Sequence, residues 1–439
     1  MGEAGGIINA QTGRAVATTL LNSSSWILRK VDSLRLMEGT VGRRRISLDI
    51  VPPVLTDLAY HENERQSPGI EGIRGPVMVP LTMMKKGALR DFDIILGDGR
   101  PLSVLGRSEN SALAAAAVLA EISSDAFENE WLVSAVLEIA SGPADEALEL
   151  FREFELTGNV RGQNLLDPHA MSEFGTQLLR DLAQNYLLVA LVPSELAGLR
   201  TLVKYSFHWD VTDWSDQVGP TKFLFASGGY IPASVIVDLS GPSDPDSYHL
   251  EVHAPKDLLC GRLALPAGVG EIESGCQTMT PIAHAVASFS EPPAEPAQVE
   301  FFVPNGGLRA VAAVVAIVSA VVFWLERLLP GGHEALLDAP EGAVALLLAV
   351  PAVATALLAR PNENDLTARL LIPLRALVLT CSAFLAAGAA SLVGYLHEPY
   401  MSALWWLGAG FTAAVSLYML GGYGVSARRQ AGWRRETHR

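Results

Sequence analysis

Apolar and charged positions are distributed unevenly along the chain, and the last third is dominated by long apolar stretches. Four stretches there carry no charged residue and hold 16, 18, 21 and 29 residues: Ala310–Leu325, Gly342–Ala359, Ala376–Leu396 and Pro399–Ala427. A helix that crosses a bilayer needs about 20 mostly apolar residues. The first stretch reaches that length when the flanking charged side chains extend to the headgroups. The pattern predicts four transmembrane helices, at about 308–328, 342–360, 372–396 and 402–425. The alternative, four buried helices of a soluble core, fits less well because polar residues occur only at the breaks.

Arginine residues flank these stretches asymmetrically and predict an orientation. One side of the membrane receives nine of them, namely Arg309, Arg360, Arg369, Arg375, Arg428, Arg429, Arg434, Arg435 and Arg439, whereas the other side receives only Arg327. Cytoplasmic flanks of membrane helices are rich in Lys and Arg. The sequence therefore predicts a multi-pass protein of the cell membrane with both termini in the cytoplasm. The basic tail, 426–439, would lie beside anionic lipid headgroups. The first 40 residues lack the pattern of a signal peptide, so the preceding soluble region is expected to remain cytoplasmic.

The N-terminal 199 residues mix helical and strand periods. Within segment 1–43, the stretch "SSSWILRKVDSLRLMEG" is compatible with a helix capped by Ser24 or Ser25. Segment 44–199 is predicted to be an α/β region, which begins with strands and a hairpin turn at Gly97-Asp98-Gly99. Four helices are expected to follow, and the last, "MSEFGTQLLRDLAQNYLLVALV", would end before Pro193.

From residue 200 the apolar period returns to two. Short alternating stretches separated by Gly, Pro and Ser predict a membrane-proximal antiparallel β-sandwich over residues 200–305. Its last strand would run into the first membrane helix through the connector "PNGG". The predicted fold class is thus an α+β soluble region, made of a mixed α/β part and a β-sandwich, followed by a C-terminal four-helix transmembrane bundle.

The overall charge argues against nucleic-acid binding. The chain has a formal net charge of -15, and residues 308–439 hold only 10 of its 32 basic and 8 of its 47 acidic residues. Residues 1–307 therefore carry a net charge of -17, which would repel a polyanion. The expected partners are the lipid bilayer and either another protein or a second copy of the chain. Such a contact would use the small residues of the third and fourth membrane helices, Gly388, Ala389, Ala390, Ser391, Gly394, Gly408, Gly410 and Ala413.

Four groups of residues are candidates for a chemical site, and each has a simpler interpretation. His249, Glu251 and His253 share one face of a strand, but the two histidines would stand ~13 Å apart, too far for one ion. Asp210, Asp213 and Asp216 lack the spacing of a calcium loop, and His61–Arg65 lies in a Pro-rich loop. The Gly97-Asp98-Gly99 turn lacks the Lys-Ser/Thr of a phosphate loop. No catalytic residue, metal ligand or cofactor is predicted.

Three stretches carry a family resemblance: "FDIILGDGRPLSVLGRSEN", "SYHLEVHAPKDL" and "LLARPNENDLTARLL". Together they resemble an uncharacterised family of four-helix integral membrane proteins from high-GC bacteria. The resemblance implies a bacterial inner-membrane protein, and it implies no activity, ligand or catalytic residue.

A binding role is the function that the sequence favours. The cytoplasmic region would act as a scaffold or sensor, because no catalytic motif is recognisable. One alternative is a transporter or channel subunit, which the four-helix bundle suggests and the absence of Asp and Glu from its centre weakens. The other is a membrane-associated enzyme acting on a lipid or envelope precursor.

Overall fold

A computed structural model describes residues 9–54, 75–87, 89–164, 171–210, 219–237, 239, 247–265, 280–287, 296–328, 340–358, 364–393 and 399–436. The strands are β1 Ile27–Leu36, β2 Val41–Ile50, β3 Val77–Lys85, β4 Arg90–Leu96, β5 Ser103–Val104, β6 Asn159–Val160, β7 Gln163–Asn164, β8 Asn185–Val192, β9 Thr201–Asp210, β10 Ala233–Val237, β11 Ser247–His253, β12 Leu259–Ala264, β13 Ile282–Ala287 and β14 Ala297–Phe302. The helices are α1 Ala10–Leu21, α2 Ser23–Trp26, α3 Arg107–Ile122, α4 Glu130–Ser141, α5 Ala144–Thr157, α6 Glu173–Gln184, α7 Pro220–Ser227, α8 Gly307–Leu328, α9 Pro340–Leu358, α10 Asp365–Val393 and α11 Tyr400–Glu436. The chain is therefore mixed α/β, with its sheets in the N-terminal region and its apolar helices at the C-terminus.

A six-stranded sheet is the centre of the soluble region, with strand order β13-β11-β1-β2-β9-β4. All its neighbouring strands run antiparallel except β1 and β11, which are parallel. Alternation in β1 and β2 is regular: Asp32, Leu34, Ile46 and Leu48 are buried on one face, which we call the inner face.

Two three-stranded sheets cover the inner face side by side. Buried side chains of β1, β2, β4 and β9 share a core with the sheet β3-β8-β5. Those of β11, β13 and the end of β1 share a second core with the sheet β10-β14-β12. Helices α1 and α3–α6 pack over the far side of β3-β8-β5 and complete the first core.

Two local predictions differ from the structure because tertiary packing outweighs local propensity. The stretch of segment 1–43 that is compatible with a helix is a strand from Ile27 onward, and the described residues of the segment are helical at Ala10–Leu21 and Ser23–Trp26. The expected helix before Pro193 ends at Gln184, and its apolar second half is strand β8. Burial on both faces explains the latter, because Leu187–Ala190 lie between the helices and the six-stranded sheet. A strand buried in this way has a continuous apolar run, which periodicity alone does not distinguish from a helix.

The expected sandwich over 200–305 is not confirmed within those bounds. Strands β9, β11 and β13 belong to the six-stranded sheet, and β1 of the N-terminal segment lies between β2 and β11. Among the described residues of 200–305, only β10, β12 and β14 form a separate sheet. The parallel pairing of β1 with β11 joins segments more than 200 residues apart, as in Lys30 opposite Tyr248, and local periodicity carries no signal of such a pairing.

Three helices of the described chain are long and apolar enough to cross a membrane, in the segments Gly307–Leu325, Asp365–Val393 and Tyr400–Ala431. Two of them begin or end outside the expected spans. Helix α10 starts at Asp365 instead of about 372, and α11 continues through the expected tail to Glu436. At 1.5 Å per residue, the 37 residues of α11 measure about 55 Å, longer than the ~30 Å hydrocarbon core. The additional turns are held by contacts with the soluble region, described below.

Candidate functional site

The outer face of the six-stranded sheet carries three exposed arginines, Arg29, Arg35 and Arg45. The run Arg43-Arg44-Arg45 in β2 divides between the two faces, because successive side chains of a strand point in opposite directions. Arg44 points inward to Asp32, whereas Arg43 contacts Ser206 of β9 on the outer face. The exposed Arg45 shares this face with the exposed Arg29 and Arg35 of β1.

Three of these arginines lie beside three serines on neighbouring strands of the outer face. We call the group the arginine–serine face: Arg35, Arg43, Arg45, Ser33, Ser47 and Ser206. In the register, Arg35 is directly opposite Arg43, and Ser33 is opposite Arg45, which is in turn opposite Ser206. Glu251 and Asp93 lie in the same row as Arg45 but two strands away on either side, about 10 Å. Within the described chain, Arg35 and Arg45 form no ion pair.

Arg43 occupies the centre of this face with one donor unsatisfied. Its Nη2 donates a hydrogen bond to Ser206 Oγ at 3.1 Å, while its Nε is buried and has no hydrogen-bond partner among the described residues. Like charges directly opposite each other across a strand pair are destabilising, so the Arg35–Arg43 pair costs stability unless an anion lies between them. Guanidinium groups and hydroxyls together are the donors that bind carboxylates and phosphates.

The histidines singled out in the sequence lie at the β11 end of the same sheet. His249, Glu251 and His253 are half-buried on the outer face, whereas Tyr248, Leu250 and Val252 are buried on the inner face. His249 stacks on His284 of β13, with ring centroids 5.3 Å apart and a ring-nitrogen distance of 3.2 Å. Sequence reasoning did not find His284, because the antiparallel pairing that places it there joins strands separated by a long loop.

His253 belongs to the end of this face nearest the arginines. Burial, with a contribution from the positive charge of Arg35, lowers the pKa of His253 despite the opposing effect of Glu251. A neutral imidazole is therefore favoured beside Arg35, which is opposite it in the register. No three His, Cys, Asp or Glu side chains of the described residues are close enough together to hold a metal ion.

The remaining sequence candidates are placed as follows. Asp210 is the last residue of β9, and Asp213, Asp216 and His61–Arg65 lie outside the described residues. The glycines of Gly97-Asp98-Gly99 form a tight turn after β4, in which Leu96 N donates to Arg100 O at 2.8 Å and Gly99 has a φ of 90°. After this turn the chain enters the sheet β3-β8-β5, in which β5 pairs with β8.

A charged cluster is buried on the inner face, where the two small sheets meet. Asp32 is fully buried, its Oδ1 accepts a hydrogen bond from Arg44 Nε at 3.0 Å, and its Oδ2 accepts one from the Tyr248 hydroxyl at 3.1 Å. The Lys30 ammonium lies 5.8 Å from the centre of the Tyr248 ring. Burial and the nearby Asp32 carboxylate raise the pKa of Tyr248 well above its usual value, so this hydroxyl remains a donor. The cluster fixes β11 to β1 and holds β2 in register.

Two polar junctions join the soluble region to the apolar C-terminal helices. At the first, the Arg309 guanidinium is fully buried, donates to Asn305 Oδ1 at 2.8 Å and to Ser426 Oγ at 3.1 Å, and lies 4.5 Å from the centre of the Tyr423 ring. Ser426 in turn donates to Gly229 O at 3.2 Å. Arg309 therefore joins α8 to α11 and, through Ser426, to the soluble region.

At the second junction the turn between β1 and β2 rests on the start of α10. Asn364 Nδ2 donates to Met37 O at 2.6 Å, and Asp365 N donates to Gly39 O at 2.8 Å. The hairpin that carries Arg35 and Arg43 thus contacts the apolar helix α10 directly at its tip.

Some of the small residues of the apolar C-terminal helices pack against other helices of the chain, whereas Ala390 and Gly410 are exposed. A Cβ at Gly408 would collide with the Phe323 ring, and Gly388 lies between Phe323 and Trp405. Trp405 also contacts Phe323 edge to face, with ring centroids 5.1 Å apart, and its Nε1 lies 3.3 Å from Ser391 Oγ. Gly410 faces open space, and Gly394 lies outside the described residues.

Comparison with known proteins assigns no family to the chain. No protein-family model matches it, and no curated protein is significantly similar to it.

Proposed function

We propose that this chain is a multi-pass membrane protein with four spanning helices and both termini in the cytoplasm, whose soluble region works by binding a partner. Helix α9 would be the fourth span: its 19 residues measure about 28 Å, close to the thickness of the hydrocarbon core, and it packs against α10. The nine-to-one distribution of arginines supports the orientation.

The arginine–serine face carries the binding proposal. It exposes Arg35 and Arg45 without carboxylate partners in the described chain, and it holds Arg43 beside Arg35 with an unsatisfied donor. The partner chemistry that fits is a carboxylate-rich segment of another protein, because guanidinium forks and serine hydroxyls both donate to carboxylates. Nucleic acid fits less well, since residues 1–307 have a net charge of -17 and a long polyanion would extend beyond this small basic surface.

The position of this face favours a sensor or scaffold over a separate soluble module. Arg35 and Arg43 flank the turn whose carbonyls at Met37 and Gly39 are bound by the start of α10. A partner that moves the hairpin would therefore act on a membrane helix through hydrogen bonds already in place. The close packing of Phe323 against Gly408 and Trp405 supports a packed bundle rather than an open path between these helices.

Two experiments test the two parts of the proposal. For topology, a reporter active only outside the cytoplasm should give no signal after Arg439 and a strong signal at Pro330, and the reverse result would reject the orientation.

For binding, full-length protein in lipid nanodiscs is titrated with a fluorescent oligo-glutamate peptide, and an oligo-glutamine peptide of equal length serves as the control probe. The Arg35→Ala/Arg45→Ala variant should weaken binding by roughly tenfold, while Arg161→Ala, which removes an exposed arginine from the turn between β6 and β7, should not. Equal affinities for all three proteins would reject the assigned surface.

A further inference from the structure

Helix α7 turns two large apolar side chains away from the protein beside the membrane helices. Leu224 and Phe225 are 41% and 49% exposed, whereas Phe223 and Ala226 pack into the core that the soluble region shares with α8, α10 and α11. The helix packs along α10, and the Tyr418 hydroxyl of α11 donates a hydrogen bond to Leu224 O. The exposed pair therefore continues the apolar outer surface of the bundle, where Leu417 and Leu420 of α11 are also exposed.

The level of α7 along the bundle can be measured from the aromatic residues at the far end. Trp406 contacts Trp324 edge to face at 6.0 Å and lies 5.1 Å from the Arg327 guanidinium, an arrangement typical of a membrane–water interface. Tyr418 lies twelve positions after Trp406 in α11, a distance of about 18 Å along a hydrocarbon core that is about 30 Å thick. Tyr418, and with it Leu224, therefore lies within the leaflet that faces the soluble region.

Non-helical backbone at membrane depth needs partners for its peptide groups, because free peptide groups are costly there. Gly229 O accepts from Ser426 Oγ at 3.2 Å, and Tyr230 O accepts from Arg429 Nη2 at 2.7 Å. The amide nitrogens of Gly228, Gly229 and Tyr230 donate to carbonyls of α7, at 3.2, 2.9 and 2.9 Å. Five backbone groups of the turn that ends α7 are thus hydrogen-bonded within the protein.

The close approach of this turn to α11 depends on glycines. Gly229 has a φ of +80°, and a Cβ there would overlap the Arg309 guanidinium. A Cβ at Gly422 of α11 would overlap the carbonyl of Gly228. This packing fixes α7 at its depth, because the turn cannot withdraw from the bundle without breaking the Arg309 and Ser426 contacts.

We infer that α7 is an interfacial helix inserted into the leaflet facing the soluble region, with Leu224 and Phe225 among the lipid acyl chains. The exposed Lys222, one turn earlier, is placed to reach the headgroups. A short amphipathic helix binds a bilayer by burying its apolar face at the boundary between headgroups and acyl chains. The inference rests on the proposed spanning of the membrane by α11, and it is independent of which side is the cytoplasm.

Quenching by nitroxide-labelled lipids tests this placement. All variants carry Cys276→Ser, while Cys260 and Cys381 are kept because they are buried and should not react with the label. Each variant then has one introduced cysteine that bears an environment-sensitive fluorophore. Phe225→Cys and Leu224→Cys report on α7, Leu417→Cys reports on the exposed surface of α11, and Leu156→Cys, at an 83% exposed position on α5, reports on the soluble region. In liposomes whose lipids carry the nitroxide near the headgroup end of the acyl chain, the quenched fraction at 225 should exceed that at 156 by roughly threefold or more.

The control positions separate the possible failures. Strong quenching at 417 with only the level of 156 at both 224 and 225 would overturn the inference and leave the membrane span intact, as expected if a second copy of the chain covers α7. Weak quenching at 417 as well would reject the span of α11, and with it the placement of α7.

Discussion

The hydroxyl of Tyr248 donates to Oδ2 of Asp32 at 3.1 Å and joins two strands whose residues lie 216 positions apart in the sequence. Through this bond and the Arg44–Asp32 ion pair, β11 is attached to the N-terminal hairpin that carries the arginine–serine face on its other side. The buried cluster around Asp32 thus determines the position of the arginine–serine face.

Removal of the Asp32 carboxylate should therefore be strongly destabilising. Asp32→Ala leaves Arg44 inside the protein without its counter-charge, and we expect the free energy of unfolding to fall by about 3–5 kcal/mol. Tyr248→Phe removes one hydrogen bond and should cost about 1 kcal/mol. Chemical denaturation followed by tryptophan fluorescence measures both. The control is Asp98→Ala, which removes an exposed carboxylate paired with Arg100 and should have little effect; an Asp32→Ala protein as stable as this control would contradict the role of the cluster.

The opposed arginines of the outer face should show the opposite behaviour. Because Arg35 and Arg43 repel each other across the strand pair, Arg35→Ala should leave the unfolding temperature unchanged or raise it at low salt. At high salt the repulsion is screened and the difference should vanish. Arg161→Ala removes an arginine paired with Glu138 and should not raise the unfolding temperature. A marked loss of stability in Arg35→Ala would show that an anionic group of the chain already neutralises this position.

The junction at Arg309 depends on a glycine that no other residue can replace without strain. Gly229→Ala introduces a Cβ into the guanidinium of Arg309 at a φ of +80°, so we expect a loss of about 1–3 kcal/mol and easier proteolysis between the soluble region and the bundle. Gly424→Ala is the matched control, because its Cβ would meet no atom within 4 Å and it lies in α11. Equal protease resistance of the two variants would contradict the close packing of Gly229 against Arg309.

Lys86 should titrate well below an ordinary lysine. Burial, with repulsion from Arg107, lowers its pKa to about 8, and its Nζ donates to Ile139 O at 2.6 Å. Because the folded-state pKa is below the unfolded value, the buried charge of Lys86 destabilises the folded protein below pH about 8, and this cost is lost as the pH rises from about 8 towards ~10.4. Mass spectrometry of amine acylation as a function of pH should give a midpoint near 8 for Lys86. A pH dependence equal to that of free N-acetyl-lysine amide would contradict it.

The sequence alone is sufficient to predict the secondary-structure class of the chain. Mixed α/β structure with apolar helices at the C-terminus is confirmed, because long uncharged stretches and the change between helical and strand periods are local signals. The limits of the helices are not predictable in the same way. Helix α11 continues past Ala427 since Ser426 and Arg429 bind Gly229 and Tyr230, residues that are nearly 200 positions away.

Strand pairing is the main source of error. The sequence predicts a helix where β1 lies because "SSSWILRK" begins with good capping residues, whereas the β-structure of Ile27–Leu36 is stabilised by β2 and β11 on either side. The limits of the expected sandwich fail for the same reason. Only the three-dimensional pairing shows that β11 and β13 extend the N-terminal sheet.

The candidate site shows the same division between local and distant signals. Alternation indicates that His249, Glu251 and His253 share a face, but it cannot place His284 beside them or reveal which face is open. The run Arg43-Arg44-Arg45 is the available signal for the arginine–serine face. Its meaning depends on Asp32 taking Arg44 inward and on Ser206 lying beside Arg43, which only the register supplies.

Charge reversal on the outer face tests the central claim most directly. The variant Arg35→Glu/Arg45→Glu should lose affinity for oligo-glutamate and gain affinity for an oligo-lysine peptide of equal length, measured with full-length protein in nanodiscs at low and at physiological salt. Its circular dichroism should match that of the wild-type chain, because both side chains are exposed. Both affinities should weaken as salt is raised, as expected for surface ion pairs. A variant that binds oligo-glutamate as tightly as the wild-type chain would show that the arginine–serine face is not where this protein binds an anionic partner.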